Sequence, residues 1–527
     1  MKTTKTILTK IVHILIVIFA GKTPAFFTET VAQGTTVSGE IVAPKEWDGL
    51  NRNNQRVFGT VTDTVLLDDN KDLSSIRSEQ DIYSGGHTNN ITVRNKRNQN
   101  ILGGIAENTV IEDGGRAILE QGEFTNGKGE KSVIVEGGEI THGAKGVFMG
   151  QARINNLKIS GDVGARASRE NPHFSHAYIG QLGQLILSAG KITESTIEGG
   201  LLSVAYSEAS DTTMKGGSIE LGEGGILKRT QMTGGSLSIK DGGLAEAAVV
   251  NGGGRMSNYN GTDIGTVVNS GTYILGDAHS TRAQSNNLTL GNEAAGYIRK
   301  GTVNGANLDG QMILGFPRLS STLKGDVTVG ERGQLDVINN GHLDTHEANL
   351  NLSGRVNLNN DSDPGKVSRF RKVSMNQGHF YFDYSNSGGF SKNYSILFLE
   401  TLSGSGTFWM NTDIAGHRGN ILHVRGEANG HFGVRVTDSG ESPKPEDSLK
   451  IIQTGGGDAD FTLANQGQVV DVGTYQYHLV PDDHKRGWSL VSHQPQPSEK
   501  PQTGSESNPE APVALSLIHI SEPTRHS

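Results

Sequence analysis

The chain has 527 residues, 72 of them glycine and none cysteine, with 34% hydrophobic and 6% aromatic side chains and a net charge of −9. That composition excludes a disulfide framework and thiolate chemistry, gives no basic footprint for a nucleic-acid partner, and is too poor in apolar material for one compact globule of this length. A rod with a thin core has no such deficit.

Residues 1–32 read as a signal peptide. Lys2, Lys5 and Lys10 precede an apolar stretch, 11–20, that is too short to span a bilayer. Cleavage is expected after Ala32, or nearer Ala20. Residues 33–80 are expected to form an N-terminal cap and the first coils, because a solenoid end exposes strand edges that need covering. The alternating run 58–67 fits early strands, whereas Val42-Ala-Pro-Lys-Glu-Trp47 is irregular.

Residues 81–375 carry a repeat. The glycine pairs Gly216-Gly217, Gly234-Gly235 and Gly252-Gly253 lie 18 residues apart, and Gly224-Gly225 and Gly242-Gly243 keep that interval. Gly85-Gly86 and Gly103-Gly104 repeat it earlier, and the block 103–115 matches 242–254. Between the pairs, Ser218-Ile-Glu-Leu221 and Ser236-Leu-Ser-Ile239 alternate with period two, as half-buried strands do. Four residues cannot form an independent sheet. Each copy is stable only if it pairs with the next, with glycine turning the corners. The expected fold is all-β: a right-handed parallel β-helix (solenoid). Its coils stack at roughly 4.8 Å, giving a rod on the order of 100 Å long. The repeat resembles that of AIDA-type autotransporter passengers, which are bacterial surface adhesins. An insertion-like stretch, 164–176, breaks the pattern and is expected to project as a loop.

At 376–493 aromatics rise: Phe380, Tyr381, Phe382, Tyr384, Phe390 and Tyr394. The ordered motifs that follow resemble the pertactin-like C-terminal passenger module, the autochaperone region, which implies that the β-helix ends in C-terminal autochaperone coils. That resemblance implies structural roles for Gly404, Gly406, Phe408, Asn411, Asp413, Phe461, Gly473, Tyr475, Tyr477, Leu479 and Trp488. Asn420 departs from the aspartate that family members often carry. Residues 494–514, rich in Pro, Ser and Glu, read as a linker. The resemblance implies a translocator β-barrel after it. Residues 515–527 look instead like a translated sequencing-library adapter, so the reading frame is expected to stop short of that barrel.

Several motifs bear on chemistry. Thr437-Asp-Ser-Gly-Glu-Ser442 is similar to the Gly-Asp-Ser-Gly of chymotrypsin-like enzymes but lacks the first glycine, and a surface turn is the ordinary reading. His342 with His346, and His173 with His176, have no strong metal-ligand spacing. A polysaccharide-cleaving β-helix needs paired carboxylates on adjacent coils; Asp263 with Asp277 is the candidate pair, read here as turn acids. Glu107 and Glu246 occupy equivalent repeat positions but lie far apart along the rod.

No catalytic residue, cofactor or metal is expected. The favoured reading is a surface-displayed autotransporter passenger of a Gram-negative bacterium, exported through the periplasm to the cell surface or beyond. It would act as an adhesin or self-association factor toward a host receptor, matrix or glycan, or another copy of itself. An extracellular carbohydrate-active enzyme, or a toxin-type passenger with its activity in the N-terminal stretch, are the other readings.

Overall fold

A computed structural model describes residues 28–492 with gaps; the description is unbroken over 171–338, 342–359, 367–382 and 394–492. The linker, the adapter-like tail, most of the expected leader, Gly103 and the basic run 94–97 lie outside the described residues.

Short strands stack on their own copies. Ser218–Leu221 within the strand Thr213–Leu221 lies parallel to Leu201–Val204 on one side and to Ser236–Ile239 on the other. Followed coil by coil, this first sheet runs as one parallel ladder from Thr28–Val31 to Asp460–Leu463. A second sheet stacks Glu208–Ser210, Ile226–Lys228, Leu244–Glu246 and Thr262–Ile264. A third holds Gln231–Met232 on Val249–Val250. The fold is therefore a three-sided parallel β-solenoid. Its interior is built from the alternate residue of each strand, such as Ile219, Leu221, Leu227, Met232, Leu237 and Ile239, all fully buried.

The glycine pairs sit at two of the three corners. Gly216-Gly217 and Gly234-Gly235 turn the third sheet into the first, and Gly224-Gly225 and Gly242-Gly243 turn the first into the second. At Gly217, φ is +83° and an added Cβ would lie 2.2 Å from the Gly200 carbonyl oxygen of the preceding coil. The third corner uses no glycine pair. There one residue per coil takes a left-handed conformation: Asn156, His176, Glu194, Asp211, Arg229 and Ala247, with φ between 50° and 54°. Each donates its N–H to the next coil, as Asp211 does to the Lys228 oxygen at 3.0 Å and Arg229 to the Glu246 oxygen at 2.9 Å. That main-chain bond offsets the left-handed cost, so side chains with a Cβ are accepted.

Coil stacking begins earlier than expected. Thr28–Val31 pairs in register with Asn53–Val57, so the first described strand lies inside the stretch assigned to the leader. Cleavage nearer Ala20 leaves that strand whole. Residues 33–80 are coils wherever they are described. The opposite end also departs from the expectation, because the last elements are not further coils. Ser448–Gly456 pairs antiparallel with Gly487–Ser492, which pairs antiparallel with Tyr475–Pro481, which pairs antiparallel with Val470–Val472. Turning the last strands back covers a parallel edge that would otherwise be open to a second chain.

Candidate functional site

Two side-chain columns distinguish the C-terminal coils. The inner one is aromatic. Phe380 stacks on Phe408 at 5.6 Å, Phe408 meets Phe432 at 5.9 Å, Phe432 meets Phe461 at 5.3 Å, and Phe461 meets Trp488 edge-on at 4.7 Å. All five rings are buried, so the column joins the last parallel coils to the antiparallel end. The outer column lies on the solvent side of the first sheet. Tyr381 and Trp409 are register neighbours and stack at 5.1 Å. The Arg355 guanidinium lies 4.1 Å from the Tyr381 ring centre and that of Arg435 lies 4.7 Å from the Trp409 ring centre. Arg355 Nε donates to Asn357 at 2.5 Å, and Asp336 accepts from Gln311, Gln334 and Asn357.

Around residue 413 the module carries a charged knot. Asp413 is fully buried and accepts from Arg418 Nη2 at 2.7 Å, Gly416 N at 3.0 Å and Ser439 Oγ at 3.1 Å. Burial alone would raise its pKa, but these donors outweigh it and hold the carboxyl below the usual carboxylate range. Burial, with Asp413 nearby, pushes the Tyr394 phenol up to about 12. Asn420 fills the position at which the sequence departs from the family pattern. Its Oδ1 accepts from Asn411 N at 2.7 Å, which an amide oxygen does as a carboxylate would.

The catalytic candidates are all occupied elsewhere. Asp263 points into the core. It is fully buried and accepts from Tyr273 OH at 2.6 Å, Asn258 Nδ2 at 2.8 Å and Ser285 Oγ at 2.8 Å. Desolvation raises its pKa and outweighs those donors. Asp277 closes a turn, accepting from His279 N and from both N and Oγ of Ser280. A buried acid and a turn acid do not form a pair open to a polymer. Ser439 donates to Asp413, so the stretch 437–442 is a turn held by carboxylates. His176 pairs with Glu194 at 2.8 Å, and His173 contacts Thr193 at 3.2 Å. Both lie on ordered coils, Phe174 between them being core, so this end of the 164–176 insertion is not a projecting loop. His346 pairs with Asp344. Among the described residues, no three His, Asp or Glu side chains are grouped to hold a metal.

Residues 370–492 match the pertactin family model, which spans the inner aromatic column, the charged knot and the antiparallel end. The probable autotransporter YpjA of Escherichia coli K12 is 36% identical over 209 residues, covering 38% of this chain and 13% of that protein. Over this C-terminal part the chain is similar to pertactin-like autotransporter passengers. The autotransporter adhesin/invasin TibA of Escherichia coli O78:H11 is 46% identical over 102 residues, covering 19% of this chain and 10% of TibA. The passenger thus spans only about an eighth of these curated relatives or less. A crystallised glycosylated fragment of TibA, residues 55–350, aligns over 65% of the passenger and 99% of the fragment, with a TM-score of 0.38 and 16% identity. Proteins of this class are exported through the periplasm of Gram-negative bacteria to the surface or the medium. Some passengers of the class are enzymes: the immunoglobulin A1 protease autotransporter of Haemophilus influenzae is 23% identical over 135 residues.

Of the residues singled out in the passenger's sequence, Phe408, Phe461 and Trp488 meet in the inner column. Tyr477 is fully buried, and Tyr475 and Leu479 pack against the same core. Gly473, at φ +60°, turns Val470–Val472 back into Tyr475–Pro481. Gly404 and Gly406 repeat the glycine corner between the third and first sheets. Asn411 and Asp413 lie apart from the rings, at the end of the strand Ile396–Asp413. The outer column went unread in the sequence because Arg355, Tyr381, Trp409 and Arg435 have no constant spacing.

Proposed function

We propose that this passenger is a surface adhesin or self-association factor rather than an enzyme. The observation that carries this reading is where its acids lie: Asp263 is sealed in the core and Asp277 closes a turn, while polar side chains are laid out in outward columns along the rod. Such a surface binds by many weak contacts, so avidity rather than one deep pocket supplies affinity. TibA, named an adhesin/invasin, supports the reading by similarity. The ligand class is a host receptor, matrix or glycan, or a second copy of the chain.

The passenger, displayed through a complete translocator barrel on a non-adherent host, should confer cell binding or aggregation. Display at normal density without either effect would remove the adhesin reading. Turnover of a polysaccharide panel by the purified passenger would restore the enzyme reading.

We further propose that 376–493 is an autochaperone module that folds first and templates the coils before it. The inner aromatic column supports this. Deleting 394–490 should leave the repeats poorly exported or protease-sensitive, and full protease resistance of the deletion on cells would contradict the assignment.

A further inference from the structure

One place in the repeat body breaks two local rules together. At the corner between the first and second sheets, two coils place glycine in the left-handed region at one register position: Gly224 at φ +63° and Gly242 at +81°. One coil before them, at the same register position, stands Tyr206, at φ +50° and 63% exposed. A left-handed backbone costs tyrosine more than glycine even with the N–H bond to the next coil that the third corner also uses, and a large ring so open to water gains little from burial. Neither cost serves the core. The same position is glycine in each of the next two coils, so the tyrosine is not what the fold requires there. Strain of this kind, at a position where the fold offers a cheaper residue, marks a binding site.

A groove of about 340 Å³ opens beside the ring. Its lining includes Asn171, His173, Lys191, Tyr206, Glu208 and Gly224. The bare glycine lets the ring settle: a Cβ on Gly224 would come within 2.9 Å of Tyr206 Cδ1. Tyr206 is held from the next coil, since its N–H donates to the Glu223 oxygen at 2.9 Å. His173, Lys191 and Glu208 are register neighbours in the second sheet, so they form one outward column along the groove. The Glu208 charge is matched by Lys228 at 3.1 Å. Lys191 has no ion-pair partner among the described residues and is the one lysine or arginine in the groove's lining.

We propose that this groove is a saccharide-binding site that takes a carboxylated sugar. The Tyr206 ring offers the flat apolar surface on which the hydrogens of a pyranose lie. The Lys191 ammonium faces the sugar carboxylate, and the Asn171 amide and His173 ring meet hydroxyls. A few polar groups beside one aromatic surface are what a small-ligand site needs to fix orientation. This proposal rests on the surface-binding reading above and assigns it a position and a ligand class.

The test uses the whole secreted passenger and compares sialyllactose and oligogalacturonates with lactose and neutral oligosaccharides by calorimetry. Tyr206→Gly installs the glycine of the next two coils. It should keep or raise the melting temperature while weakening the carboxylated sugar on the order of tenfold or more. Lys191→Gln should abolish the preference for the carboxylated over the neutral sugar. No binding of any acidic sugar by the parent, or unchanged affinity in Tyr206→Gly, overturns the site. Equal binding of neutral and acidic sugars overturns the charge assignment. Cell adhesion of the displayed variants is scored separately, so adhesion that persists in Tyr206→Gly sinks the groove and leaves the adhesin reading standing.

Discussion

The two members of a glycine pair should respond oppositely to the same substitution, although the sequence treats them alike. At Gly216 the nearest atom to an added Cβ is Gly199 N at 3.8 Å, an ordinary contact, and the backbone there is not left-handed. Gly216→Ala should therefore stabilise by about 0.4–1 kcal/mol, by restricting the unfolded chain. At Gly217 the left-handed backbone disfavours a Cβ by about 1–2 kcal/mol. The new atom would also lie 2.2 Å from the Gly200 oxygen and 2.8 Å from Gly199 C, both main-chain atoms of the preceding coil. Relief needs one coil to move against the next, so Gly217→Ala should cost about 2–5 kcal/mol in all. Because a solenoid opens locally, the loss is best read by hydrogen exchange of amides in 200–240 alongside guanidinium unfolding. Stability of Gly217→Ala within about 0.5 kcal/mol of the parent, the range of an inert surface change, would refute the reasoning. So would the reverse order of the two variants.

Three further outcomes follow from the same geometry. Phe432→Ala removes the middle ring of the inner column and should destabilise the C-terminal module by about 3–5 kcal/mol, measured as loss of protease resistance over 394–490. Asp263 has a folded pKa raised by desolvation, so the stability it contributes is full below its unfolded pKa and is lost as pH rises through the raised value. Asp263→Asn should flatten that part of the melting-temperature profile above the usual carboxylate pKa, and an unchanged slope would count against a buried carboxyl as its source. Asp413 has the opposite sign: its folded pKa is depressed, so its contribution is present above the unfolded pKa and lost as pH falls through the depressed one. Arg418→Ala should shift acid unfolding of the module to higher pH, read by tryptophan fluorescence.

The period of the solenoid was legible because glycine is the residue that both turns a left-handed corner and lets stacked backbones touch. Where Leu201, Ser218, Ser236 and Arg255 stack, the eighteen-residue interval holds to within a residue. The third corner was not legible. Its left-handed residues are satisfied by a main-chain bond to the next coil, so Asp211, Arg229 and Ala247 serve equally and leave no mark in composition. The antiparallel end was hidden for another reason. Alternation in Val470–Val472 and Tyr475–Pro481 marks strands without giving their direction, and only the turn at Gly473 carries that information. The groove at Tyr206 is legible as one departure from a glycine column, but only once the register shows which residues stack.

The solenoid should be least stable at the end where its core is polar. Gln55, Gln80 and Gln99 are fully buried and form an amide ladder, Gln80 donating to Gln55 at 2.7 Å and Gln99 to Gln80 at 2.8 Å. Each such bond contributes only about 0.5–1.5 kcal/mol net, and breaking one leaves a buried amide unsatisfied. The corresponding interior of the C-terminal coils holds Phe380, Phe408, Phe432, Phe461 and Trp488. There each ring contributes about 1.5–3 kcal/mol of burial, and each ring pair a further 0.5–1.5, by about the same rules. Since coils are stabilised mainly by their neighbours, the difference makes a gradient along the rod. A chain that emerges and folds from the aromatic end adds each weaker coil to a template already formed, whereas the amide end could not hold a first coil by itself. Hydrogen-exchange protection should then decline from 400–490 toward 53–102. Equal protection at both ends, or stronger protection around Gln80, would mean that the aromatic column does not set the order of assembly.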